Sequence, residues 1–303
     1  MIRSAATAVF IALAIQIFTV GILAPRLPRE VCRPGIQVEE TFTLSAVPVL
    51  RLVNTDGAVR IQTNPTQRDI QVTARVRAYT TGGEALAMAE AYIPTLFDIK
   101  ESPDMIVIVT EPGVRPDPVD LRVDYTLALP PGMDIAIDVA NGNVWIAEGC
   151  NNISVEGNNS DIEVVRPSGA VSIKTINGRI RASECASDTT LETVNGSIQA
   201  TLTGGALQAS TITGGIVATL LAQSVEACDL TSLNGSITLV MSDQHAADIN
   251  AATERGLVRT EMAMELERGI QRRRMIHGII GTGDTMVAVN SMNGDIVIQR
   301  SAT

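Results

Sequence analysis

The sequence predicts an all-β chain: a single-stack parallel β-solenoid of about 18–20-residue coils, preceded by a β-rich N-terminal cap region and an N-terminal transmembrane or signal helix. Three observations carry this. First, a turn signature recurs, Asn-Gly-x followed by an aliphatic residue. It stands at Asn141-Gly142-Asn143-Val144, Asn159-Ser160-Asp161-Ile162, Asn177-Gly178-Arg179-Ile180 and Asn195-Gly196-Ser197-Ile198. It continues at Gly214-Gly215-Ile216-Val217, Asn234-Gly235-Ser236-Ile237 and Asn293-Gly294-Asp295-Ile296. The first four copies lie 18 residues apart and the next two follow at 19 and 20, the mark of one unit stacked on itself. Asn and Gly tolerate positive φ, so each copy reads as a turn with a strand after it.

Second, the residues around each turn fall into columns. Two positions after the turn glycine stand Val144, Ile162, Ile180, Ile198, Val217, Ile237 and Ile296. Five before it stand Ile137, Val155, Ile173, Leu191, Ser210, Leu230 and Val289. The positions between are polar or mixed, which is the alternation of a strand with one buried face. Stacking the coils places Glu163 over Arg181 and Lys174 between Glu156 and Glu192, mildly stabilising pairs. Third, no Phe, Tyr or Trp follows Trp145, so the core there must be narrow and aliphatic.

The elements follow in order. Residues 5–24 are almost wholly apolar and long enough for a bilayer core, so they read as a transmembrane anchor or a signal segment. Pro25 disfavours cleavage there and weights the reading toward the anchor. Arg26, Arg29 and Arg33 after the segment argue for a cytoplasmic body, while a lone N-terminal apolar segment argues for export; the reading favours an extracytoplasmic body. Residues 25–35 form a linker. Residues 36–132 form a β-rich part, with strands at 39–44, 49–63 turning at Asp56-Gly57, 69–79, 105–110 and 121–129, and a short helix at 85–92. Pro130-Pro131-Gly132 opens the repeat, which fills 133–303. Residues 249–260 and 285–299 read as strands flanking an excursion, 261–278, that is part helical and caps the open edge.

The run Val123-Asp124-Tyr125 through Leu129-Pro130-Pro131-Gly132 and Asn141-Gly142 resembles the entry to the repeat in the bacterial putative-adhesin family of β-strand-repeat domains of unknown function. The Thr-x-Asn-Gly-x-Ile pattern at 175–180 and 193–198 matches it, as does the ending 278–283 followed by Met292–Ile296. The resemblance spans roughly 36–300. It implies adhesion but supplies no catalytic residues, because its motifs are turns. Ser160 and Gly214 depart from the pattern.

Little chemistry is visible. Net charge is −10, which repels phosphate backbones and argues against nucleic acid. The basic run Arg272-Arg273-Arg274 is most simply a solvated loop tip, and otherwise a small interaction patch. Trp145 is either the cover of the first coil or, with Asn143 and Asn151, an interaction residue. His245 and His277 have no metal-ligand spacing, and no CxxC is present among Cys32, Cys150, Cys185 and Cys228. Cys228 falls in the column of Ile135, Ile153 and Val171, a core position. Gly281-Thr282-Gly283-Asp284 lacks the Lys-Ser/Thr of a phosphate loop and reads as a hairpin turn. No cofactor is implied. The turn residues Asn141, Gly142, Asn177, Gly178, Asn195, Gly196, Gly215, Asn234, Gly235, Asn293 and Gly294 read as structural, the asparagines as a ladder.

The function these features imply is a non-enzymatic, membrane-anchored envelope scaffold or adhesin-like protein whose partner is a protein or an envelope polymer. Self-association through the solenoid ends is compatible with it. Alternatives are a regulatory or sensor partner of an envelope-stress signalling system and, more weakly, a carbohydrate-active β-helix enzyme, which needs two carboxylates in a groove.

Overall fold

The computed structural model describes residues 33–80, 87, 91–110, 120–242 and 244–301. The apolar segment 5–24, the linker up to Cys32, most of the 85–92 helix and the 112–118 loop lie outside the described residues. Met1–Arg33 and Pro34–Thr303 form separate units, and the second builds the stack of coils.

Alternating apolar residues set up paired strands, and the pairs stack. The described residues begin with β1 (Arg33–Ser45), then β2 (Val49–Asp56) and β3 (Val59–Thr63), joined at Asp56-Gly57. Next come β4 (Asp69–Thr80), a 3-10 turn at Ile93–Thr95, β5 (Phe97–Glu101), β6 (Met105–Thr110) and β7 (Asp120–Leu129). The regular repeat pairs β8 (Asp134–Asn141) with β9 (Val144–Ile146), β10 (Ile153–Asn159) with β11 (Ile162–Val165), and β12 (Val171–Asn177) with β13 (Ile180–Cys185). It continues with β14 (Thr189–Asn195) and β15 (Ile198–Leu202), β16 (Gly205–Thr213) and β17 (Ile216–Leu220), then β18 (Val225–Asn234) and β19 (Ile237–Met241). The end comprises β20 (Ala247–Thr253), β21 (Val258–Thr260), β22 (Glu265–Arg272), β23 (Met275–Ile280), β24 (Thr285–Ser291) and β25 (Ile296–Arg300).

Two long sheets result. One has 12 strands in the order β1-β4-β7-β3-β9-β11-β13-β15-β17-β19-β25-β21. The other has 13 strands in the order β22-β23-β20-β24-β18-β16-β14-β12-β10-β8-β2-β6-β5. We call them the A and B sheets. Strands of neighbouring coils run parallel and in register, as at Ile153↔Val171 and Ile162↔Ile180. This is a solenoid-like stack, with its core between the sheets.

The stack reaches beyond the regular repeat. β2 pairs in parallel with both β6 and β8, and β3 with both β7 and β9. Thus β2/β3 and β6/β7 are coils, and the later β6/β7 lies on the far side of β2/β3 from β8/β9. The other end repeats the device. The coil β24/β25 slots between β18/β19 and β20/β21, pairing with both. Antiparallel strands close the stack: β4 on β7 and β5 on β6 at one end, β23 on β20 and β22 on β23 at the other.

Several expectations are corrected. The excursion 261–278 is not part helical; it contributes a two-stranded antiparallel hairpin extending the B sheet. Gly281–Asp284 is not a hairpin turn. It carries the chain from β23 across β20 to β24, since β20 lies between them. The segments 249–260 and 285–299 each break into two strands at a coil corner. In the Gly214 coil the register moves by one: Thr213 pairs Asn195 and Asn234, and Ile216 pairs Ile198 and Ile237. Gly214, not Gly215, is therefore the turn glycine. Ile216 is buried and Val217 faces solvent.

The core is aliphatic throughout the repeat, as the sequence required. Aromatics gather at the β1/β5 end: Phe97 packs edge-on against Phe42 and Tyr125, and Tyr125 Oη shares a 2.7 Å hydrogen bond with Thr110 Oγ1. Burial raises the Tyr125 phenol to about 12, the Thr110 bond opposing.

Candidate interaction surface

The sequence-selected turn residues build the coil corner. A Cβ on Gly142, Gly178, Gly196, Gly214, Gly235 or Gly294 would overlap the backbone carbonyl of the preceding coil, so the coils stack this closely only with glycine here. Asn159 donates to Asn141 at 2.8 Å, Asn177 to Asn159 at 2.9 Å, Asn195 to Asn177 at 3.0 Å and Asn293 to Asn234 at 2.7 Å. Thr213 interrupts this ladder. Three residues before each of these glycines except Gly142, where Val139 stands, a buried hydroxyl supports the corner from inside. Thr211, Ser232 and Ser291 each donate at 3.1 Å to the preceding corner's carbonyl, at Gly196, Gly214 and Gly235. Thr253 does so to Gly294 at 2.8 Å.

Ser160 departs from the glycine column for a local reason. The hydroxyl position in its coil is Gly157, which pairs with Thr175. The Ser160 side chain turns inward and fills the space that Gly157 leaves; a Cβ on Gly157 would lie 2.9 Å from Ser160 Cβ. Its hydroxyl is buried without a partner.

The outward A-sheet row Arg60, Trp145, Glu163, Arg181, Gln199 is in register as the sequence predicts, but Arg181 donates to Gln199 at 3.2 Å rather than pairing with Glu163. Arg60 lies over the Trp145 ring at 4.4 Å, a cation-π contact. Trp145 therefore does not cover the first coil; β3 and β7 extend the stack beyond it. Asn151 donates to Asp134 at 2.7 Å and is engaged there. On the B sheet Arg51 pairs with Asp138 at 2.8 Å and Lys174 with Glu192 at 3.4 Å.

One B-sheet region differs. An open concavity of about 700 Å³ crosses β14, β16, β18, β24, β20 and β23. Its floor is shallow because small residues, Ala206, Ala227 and Ala288, occupy outward positions. Asp188, Asp229, Asp248, Asn250 and His277 also line it, and Met286 projects with 73% of its surface exposed. Most polar groups are committed to neighbours. Asp188 accepts from the Ala206 N–H at 3.0 Å, and Asp248 lies 3.1 Å from His277 Nε2. Asp229 accepts from Thr231 at 3.3 Å. Partial burial raises the Asp229 carboxyl above the usual range, against that hydrogen bond. Such a surface can hold an extended polar chain. The pair of free, facing carboxylates that glycoside hydrolysis needs is not assembled here.

The remaining sequence candidates take structural places. Cys150, Cys185 and Cys228 are buried free thiols, pushed up by burial to about 12, 11 and 12. Cys228 pairs with Leu207 in the predicted core column. His245 is buried 3.2 Å from Thr285 Oγ1, and burial lowers its pKa. Among the described residues no group of three or more His, Cys, Asp or Glu side chains is placed to hold a metal ion. Arg273 and Arg274 are exposed at the β22–β23 turn; the Arg272 side chain lies outside the described residues.

The model of the Toastrack DUF4097 family matches residues 54–299, from the end of β2 to β25. The chain belongs to that family. The match begins inside the β2/β3 coil, so the out-of-order end coils fall within the Toastrack region. Among solved structures, a Bacteroides fragilis putative adhesin shares 12% identity with a TM-score of 0.51, covering 88% of this chain and 97% of that one. A Parabacteroides distasonis putative adhesin shares 10% identity with a TM-score of 0.45, covering 88% and 98%. At such identity the Bacteroides likeness shows a common fold. No curated protein matches the chain. Among the described residues no helix is long and apolar enough to cross a membrane.

The concavity escaped the sequence reading. Its row, Thr190, Gln208, Asp229, Ala288, Asn250, sits six positions before each turn glycine. The corrected Gly214 register and the out-of-order β24 are both needed to see it as a row.

Proposed function

We propose that this Toastrack chain is a non-enzymatic envelope protein that binds a protein or an envelope polymer through the B-sheet concavity. The single observation that carries this is the concavity itself. It is six strands wide, about 24 Å at the usual strand spacing, with small residues on the floor and a projecting methionine at one side. Its length suits an extended segment rather than a compact small molecule. In the other charged rows several groups are engaged with neighbours, Arg60 with Trp145, Arg51 with Asp138, Lys174 with Glu192 and Arg181 with Gln199. The adhesin name of the Bacteroides relative supports the same reading. So does the apolar segment 5–24 as an anchor for an extracytoplasmic body.

The test is photo-crosslinking in intact cells, with the reactive side chain at Met286 or at Asn250. The control places it on the outward A face at Thr238. A partner captured from both B-sheet positions and not from Thr238 supports the proposal. Capture only from Thr238 overturns it. Protease added to intact and then permeabilised cells tests the location: protection until the inner membrane is breached overturns the export reading.

A further inference from the structure

The two ends of the stack carry opposite charge. At the β21/β22 end, residues 253–278 hold six arginines and four glutamates, a net +2 within a chain of net −10. The fold brings four of the arginines together. The β22–β23 turn caps the last coil, its Arg273 and Arg274 carbonyls accepting from Val258 N–H at 3.0 Å and Thr253 N–H at 2.9 Å. That places Arg273 and Arg274 beside the corner that carries Arg255 and Arg259. All four side chains are exposed, and none has an ion pair among the described residues. In the body, by contrast, Arg51, Arg75, Arg77, Arg122 and Arg166 are all paired.

The opposite end is acidic. Residues 33–45 and 97–104, from β1 and β5 and the turn after β5, hold five carboxylates, one arginine and one lysine, net −3, with Glu39 paired to Arg75 of β4 and Asp98 to Lys100. Glu101 and Asp104 are exposed there. Among the described residues the edge strands at the two ends, β1 and β5 against β21 and β22, each have one side unpaired within the sheets. Such edges are templates for a further strand.

We propose that the protein associates head to tail with a second copy of itself, the arginine cap of one stack seated on the acidic β1/β5 end of the next. Guanidinium forks match carboxylates bidentately, and the two patches differ, so the contact is heterologous and open-ended. This does not depend on what the concavity binds.

The test is sedimentation of the full chain in detergent micelles at about 0.05 M and about 1 M salt, where the screening length falls to about 3 Å. Assembly at low salt and dissociation at high salt are expected. The reversals R273E/R274E and, separately, E101R/D104R should each weaken assembly at least about tenfold, or 1.4 kcal/mol. Mixing the two variants should restore a one-to-one complex, which also shows that both have folded. A single protomer at every salt, assembly insensitive to the reversals, or no recovery on mixing would each overturn the proposal. Assembly insensitive to the reversals would assign the contact to the apolar N-terminal segment instead.

Discussion

The exchange of side chains at Gly157 and Ser160 gives a sharp test of how the corners are built. In a coil such as that of Thr211 and Gly214 the hydroxyl residue is large and the corner residue small; in this coil the roles are swapped. Gly157→Thr alone places a Cβ 2.9 Å from Ser160 Cβ and 3.1 Å from Ser160 Oγ, inside normal contact. Overpacking of that kind costs about 1–3 kcal/mol. Ser160→Gly alone removes a hydroxyl that has no partner, which relieves up to about 1–3 kcal/mol. It also opens a void against Gly157 and adds backbone freedom, costing about 0.5–1 kcal/mol for the latter. The two changes should nearly cancel. Together the substitutions rebuild the common corner, with the new hydroxyl beneath the Gly142 carbonyl, as Thr211 lies beneath Gly196 at 3.1 Å. The double variant should be more stable than the sum of the singles by about 2 kcal/mol, within the range of coupled neighbours. Thermal melts of the four proteins read this as a coupling of roughly 4–8 °C. Additivity within about 0.5 kcal/mol would refute the argument.

Other expectations rest on the same geometry. Thr211→Val keeps the shape but removes the buried donor to Gly196, and should cost about 1 kcal/mol in urea melts, while Thr238→Val on the outward face should cost almost nothing. In a Cys32→Ser background, the thiols of Cys150, Cys185 and Cys228, raised to about 12, 11 and 12, should resist a thiol reagent at pH 8 until the protein unfolds. Labelling of the native state at the rate of a free thiol would contradict their burial. Asp229 has a folded pKa above its unfolded value, so the folded state holds the proton more tightly and stability falls as pH rises through that interval. Asp229→Asn should therefore raise the melting temperature at pH 7, with the gain fading below the unfolded carboxylate pKa, about 3.9.

Much of the fold was legible because the coil corner is chemically demanding. Glycine fits under the neighbouring carbonyl at every corner of the repeat but that of Ser160, and stacked asparagines satisfy one another, so the period surfaces as Asn-Gly. The strand faces were legible for the same reason: Ile173 and Leu191 must point inward if Lys174 and Glu192 point out. Reading failed where that demand weakens. Asp56-Gly57-Ala58-Val59 is a corner with Asp in place of Asn, followed by a long insertion, and it passed as an ordinary turn. At Thr213-Gly214-Gly215 two glycines offered two registers, and only pairing with Asn195 and Asn234 decides between them. In the 261–278 hairpin β23 does alternate, with Ile276 and Ile280 inward, but the Glu265–Arg272 run of β22 is too rich in charged residues to mark a strand in sequence. Of the candidate sites, the arginine run was visible locally. Its approach to Arg255 and Arg259 was not, because it depends on the cap folding back over the last coil.

The end coils are assembled out of chain order, and the concavity spans β18, β24 and β20 in that spatial sequence. Hydrogen exchange on a chain ending at Gly281 tests this most directly. β24 is the strand that joins β20 to the body, so its removal should strip protection from 247–280 and leave the amides of β8 to β17 protected. If 247–280 keep their protection in the truncated chain, β20 pairs with the body without β24, and both the topology and the concavity built on it are wrong.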